Sequence, residues 1–133
     1  MADAVNSQTL FDGASQAVMK FNNVSDGTGE TAVLKVDVSA LAADYRGQPC
    51  TGVTIKRIHA SINGMSVNVL WDATTDVSAI VLAPGMYTLN LDDTAHLWND
   101  AGTGVTGDVL FTTVGAGAGD TYSIILEMIK KYN

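Results

Sequence analysis

Apolar and polar residues alternate one for one in a series of short runs, and each run stops near Gly, Pro, Asn or Asp. In "GMSVNVLWD", Met65, Val67, Val69 and Trp71 share one side while Ser66 and Asn68 take the other. In "AVLKVDVSAL", Ala32, Leu34, Val36 and Val38 align, with Lys35 and Asp37 opposite. Successive side chains of a strand point to opposite faces, so this period predicts half-buried β-strands. The runs "SQTLF", "QAVMKFNNV", "VTIKRIHASI", "SAIVLA", "MYTLNL", "GDVLFTTV" and "DTYSIILEMI" repeat it. Together they predict about eight or nine short antiparallel strands, the pattern of an all-β sandwich or barrel. Helix is confined to a turn or two at "SALAAD", with Ser39 as the expected cap.

The breaks between runs carry turn chemistry. Asn63-Gly64, between two alternating runs, is the strongest short-range hairpin signal. Pro84-Gly85 predicts a type II turn, Pro fixing φ and Gly accepting a positive φ. With no internal repeat, linker or low-complexity tail, residues 1–133 read as a single domain. The last run, "TYSIILEMIKKYN", puts Ile124, Leu126 and Met128 on one face and Ile125 and Ile129 on the other. Two apolar faces predict a strand deep in the sandwich, or one completed by a neighbouring subunit.

Charge narrows the function. The net charge is −7 and the seven basic residues lie singly or in pairs, so phosphate neutralisation by a basic cluster is excluded and no nucleic-acid partner is expected. The same deficit argues against an anionic membrane surface. No apolar run approaches the ~20 residues of a membrane helix. The start, "MADAVNSQTL", lacks the basic and apolar segments of a signal peptide, so synthesis and folding in a cytoplasm are expected. Only 16% of residues are charged, and Thr, Ser, Asn and Gly supply most of the polarity. Short neutral side chains suit turns and β surfaces, and surfaces that a partner covers.

Three glycine-containing loops are the candidates for chemistry. "SDGTGE", residues 25–30, could be a turn or an irregular calcium site. The EF-hand reading fails, because Val24 occupies a ligand position and no helices flank the loop. A phosphate cradle needs a helix after the glycines, whereas a strand pattern follows Glu30. The expected arrangement joins two antiparallel strands, with Gly27 and Gly29 at unusual φ and Asp26 bonding turn amides. "TVGAGAGDTYS" lacks the P-loop lysine and precedes a strand, so it reads as a flexible connection. "WNDAGTGVTGD" carries Trp98, Asn99 and Asp100, which could stack on and bond a sugar, or simply pack the loop.

Catalytic signals are sparse. Cys50, the one cysteine, reads as a small packed side chain beside Pro49, although His59 or His96 could serve it as a base. Asp92 and Asp93 stand near His96, but no serine has a nucleophile-elbow context. Two separate histidines do not form a metal site with ordinary spacing. The expectation is a non-enzyme with no catalytic residues, no metal and no cofactor.

The series "QTLFDG…AVMKFNNVSDGTGE…VLKVDVSAL…VTIKRIHASINGMSVNVLWDAT…GDVLFTTVGAGAGDTYSIILEMIKK" resembles a group of small virion proteins of tailed bacteriophages, some of them capsid decoration (cement) proteins. The resemblance spans nearly the whole chain, and "SDGTGE" followed by "KVDVSAL" is its most distinctive part. It implies a jelly-roll-like β-sandwich on the surface of an HK97-type capsid, assembled in the host cytoplasm. The implied partners are the major capsid protein and the protein itself, as a homodimer or homotrimer. The alternative is a carbohydrate- or receptor-binding module, as in tail or head-fibre components, using Trp98, Asn99, Asp100 and Tyr45. A calcium-dependent enzyme or lectin would instead rest on Asp26, Glu30, Asp92 and Asp93.

Overall fold

A computed structural model describes residues 4–91 and 96–132. Among the described residues nine strands form: β1 (Ala4–Asp12), β2 (Gln16–Asp26), β3 (Val33–Val36), β4 (Cys50–Asn63), β5 (Ser66–Trp71), β6 (Val77–Leu82), β7 (Gly85–Asn90), β8 (Val109–Val114) and β9 (Ala118–Tyr132). They make two antiparallel sheets, of order β1-β2-β9-β4-β7 and β3-β8-β5-β6. The pairing is nested: β2 with β9, β3 with β8, β4 with β7, and β5 with β6. One long hairpin has rolled up until β9 also meets β4 and β8 meets β5. This is the jelly-roll order, with β1 added outside β2.

The predicted alternation supplies the core. Phe21, Ile58, Ile124 and Leu126 point inward from the five-stranded sheet, and Val67, Val69, Trp71 and Phe111 from the other, all fully buried. Phe111 lies edge-to-face between Phe21 and Tyr122, with ring centroids 5.3 and 5.7 Å away. The apolar last run is explained by position, since β9 is central in its sheet.

Four local expectations are corrected. Asn63-Gly64 turns the chain with Gly64 at φ +85°, but it is not a hairpin, because β4 and β5 belong to different sheets. Pro84-Gly85 likewise carries the chain between sheets, and Gly85 already belongs to β7 at φ +142°, far from the roughly +80° of a type II turn. In a jelly roll most successive strands change sheet, so turn residues mark corners as well as hairpins; among the described residues only β1–β2 and β5–β6 are hairpins. The alternation in "AVLKV" breaks: Lys35 is buried and Leu34 exposed, because a register irregularity between Leu34 and Val36 reverses the faces. Finally, Asp37 rather than Ser39 caps the 3₁₀ turn Val38–Ala40, its carboxylate accepting from the Ser39 amide.

Candidate functional site

"SDGTGE" leaves β2 and crosses to β3 in the opposite sheet. Gly27 and Gly29 have φ of +106° and +71°, and the Asp26 carboxylate accepts from the amide and hydroxyl of Thr28. The segment is then fastened to β8: the Glu30 amide donates to Thr113 Oγ1 at 2.8 Å, and the Ala32 amide to Thr112 Oγ1 at 2.8 Å. Glu30 itself is interior. Its carboxylate accepts from Lys35 Nζ at 2.6 Å and from the Tyr122 hydroxyl at 2.5 Å, and Lys35 Nζ lies 5.8 Å from the Phe111 ring centre. Both carboxylate oxygens are thus used inside the sandwich, which makes the loop a corner clamp. A Cβ on Gly29 would sit 2.5 Å from Thr113 Oγ1. Gly29→Ala is therefore expected to destabilise the fold by about 1–3 kcal/mol in urea unfolding, while calcium or EDTA leaves the parent Tm unchanged.

A concavity lies on the solvent side of the five-stranded sheet, a shallow trough of about 660 Å³. Register builds it in rows: Lys20, Ile125, His59 and Thr88 across four strands, then Asn22, Ser123, Ser61 and Met86. The small Ser61 and Ser123 form a low floor beside the taller first row. At its rim stands a charged cluster that the sequence did not announce. Glu127 accepts from Arg57 at 2.9 Å and lies 2.5 Å from His59 Nε2, while His59 Nδ1 is 3.2 Å from Thr88 Oγ1.

Hydroxyl, imidazole and carboxylate in that order can activate a nucleophile. Here, however, the group lies on an open pleated face, Arg57 shares the carboxylate, and the described residues include no α-helix to present oxyanion donors. Burial would raise the Glu127 carboxyl, but the His59 hydrogen bond and the charges of Arg57 and His59 outweigh it and hold the carboxyl below its ordinary value. A depressed folded value means that the cluster stabilises the fold above the ordinary glutamate range, about 4.3, and loses that effect as pH falls through the folded value. Glu127→Gln should flatten this acid limb in a pH series of urea midpoints.

Trp98 and Asp100 meet His96 at a smaller cavity, of about 210 Å³, against Trp71, Ser78 and Leu97. Reciprocal backbone bonds between Leu97 and Ile55, both 2.9 Å, pin this loop to β4. Trp98 is 56% exposed and leaves much of its ring to solvent. Trp71 Nε1 is buried with no hydrogen-bond partner among the described residues. Asn99 is not part of this cavity; its side chain accepts from the Ala101 amide, and the residue lines a separate cleft beside Cys50. Tyr45 lines neither cavity and stacks with Arg46. Asp92 and Asp93 lie outside the described residues.

Cys50 is buried, its thiol 3.2 Å from the Gly52 carbonyl. Among the described residues, no group of three or more His, Cys, Asp or Glu is placed to hold a metal ion. His59 was legible only as a mid-strand histidine, since its partner Glu127 lies 68 residues away. No protein-family profile matches the chain, and no curated protein matches it.

Proposed function

We propose that this protein is a non-enzymatic structural component of a phage virion, a decoration protein that binds the outside of an icosahedral shell and stiffens it. The observation that carries this reading is the solvent face of the five-stranded sheet. Four strands present Asn22, Ser123, Ser61, Thr88 and Ile125 on one rigid surface, and Glu127 at its rim is compensated by Arg57 and His59. Covering such a surface strips water from few uncompensated charges, so contact area converts into adhesion at low desolvation cost. The resemblance of "SDGTGE…KVDVSAL" to virion proteins supports the same reading.

The test is to add purified protein to shells lacking it, then follow co-sedimentation and rupture on heating. Co-sedimentation with a raised rupture temperature is expected, and Ser123→Glu should abolish both. No co-sedimentation together with an unchanged rupture temperature would overturn the reading. One observation favours a second reading: the exposed Trp98 ring beside His96 and Asp100 has the composition of a small glycan site. Glycan-array binding that Trp98→Ala removes, without shell binding, would put that function first.

A further inference from the structure

β1 is nine residues long, yet eight of its residues are exposed and Asp12 is half-buried. On one face Ala4, Asn6 and Gln8 stand beside Val24, Asn22 and Lys20; on the other, Val5, Ser7 and Thr9 stand beside Asn23, Phe21 and Met19. The second set points toward the side where the other sheet lies, but Val5 remains 51% exposed. Among the described residues its sole neighbour in the sheet is β2, so its far edge has no strand partner there. Natural edges are usually blunted by charge, proline or brevity. Between Ala4 and Phe11 this edge has no charged residue and no proline, and its only irregularity is the bulge between Thr9 and Phe11. Of the exposed large apolar residues, Val5, Leu10 and Phe11 belong to β1, and Val24 pairs directly with it.

We propose that β1 pairs antiparallel with β1 of a second copy, about a two-fold axis at Ser7, joining two five-stranded sheets into one of ten strands. A two-fold axis normal to the sheet keeps every side chain on its own face, so the positions that meet must have even sums. Centring on Ser7 uses the regular segment Val5–Thr9 and stops short of the bulge. It sets Val5 against Thr9, both β-branched, and Asn6 against Gln8, two amides that can bond each other. A second copy fits this edge by charge as well. Each molecule carries −7, and an uncharged strand lets two such molecules meet without like charges facing each other along the seam. The pairing gives the proposed shell protein its self-association surface, but it rests on the edge alone and is measured without shells.

Light scattering and sedimentation equilibrium on the purified protein should show a concentration-dependent dimer. Ser7→Lys and Ser7→Asp each place like charges on the axis and should weaken the dimer more than about tenfold, with circular dichroism and Tm unchanged. Mixing the two variants should restore a dimer of mixed composition, seen by native mass spectrometry. As a second probe, Ser7→Cys in a Cys50→Ser background should cross-link between copies under mild oxidation. A parent that stays monomeric overturns the proposal, as does a dimer indifferent to both charged variants with no Ser7→Cys cross-link. A monomer that still binds shells would refute this pairing alone, and a dimer that ignores shells would refute the shell reading alone.

Discussion

Glu30→Ala should be among the most damaging single substitutions in this chain, lowering the unfolding free energy by about 3–5 kcal/mol. The Glu30 and Lys35 side chains are only 5% and 3% exposed, so the ammonium left behind cannot recover its hydration. It would lie beside the ring faces of Phe111 and Tyr122, which offer far less than a carboxylate. The hydrogen bond from the Tyr122 hydroxyl to Glu30 is lost in the same step. A contrasting result identifies the cause. Replacing both members of the pair, Glu30→Leu with Lys35→Met, removes the stranded charge and should recover most of the loss. Urea midpoints at unchanged m-value are the measurement. A double variant as unstable as Glu30→Ala would show that the corner needs the ion pair itself.

Lys130→Met comes second, at about 2–4 kcal/mol. Lys130 points inward from β9 with its side chain wholly buried, and its ammonium donates to Asp12, to the Gly13 carbonyl at 2.6 Å and to the Ala42 carbonyl at 2.9 Å. Asp12 in turn accepts from the Ala42 amide. One cation therefore ties the β1–β2 hairpin, the connection after β3 and the centre of the sheet together. The estimate stays below that for Glu30 because Asp12 is 24% exposed and can regain some water. Hydrogen exchange should locate the damage, with the Ala42 amide losing protection while the β5 and β8 amides keep theirs. Uniform loss across both sheets would contradict this local role.

These two lysines show where reading the sequence stops. Period two located the strands because each buries one face, and it aligned Met65, Val67, Val69 and Trp71 on the side that is buried. It put Lys35 outside, since a single bulge reverses parity and leaves no mark in the letters. It could not order the sheets either. Asn63-Gly64 has the same chemistry at a hairpin and at a corner; the difference lies in which distant strands take β4 and β5 as neighbours. The candidate site fails to be legible for the same reason. Arg57 and His59 could be placed on one face, but Glu127 and Thr88 join them only through the β4–β9 and β4–β7 registers. Trp98 and Asp100 were accessible as a loop pair, while Asn99 turned away to bond the Ala101 amide.

The nesting of the strands also dictates a timetable. β9 leaves the ribosome after the other eight strands of the sandwich, yet it occupies the middle of the larger sheet, between β2 and β4. Until it arrives, both of those strands have an open flank, and Phe21 and Ile58 lack the cover that Ile124 and Leu126 provide. The nascent chain therefore cannot complete its larger sheet strand by strand as it emerges, and must hold an unfinished sandwich until β9 has appeared. Closing loops of such length before any reward places the fold among slow, high-contact-order topologies, on the scale of milliseconds to seconds. During that interval the unpaired flanks of β2 and β4 are the surfaces on which a crowded cell would first see aggregation or chaperone capture.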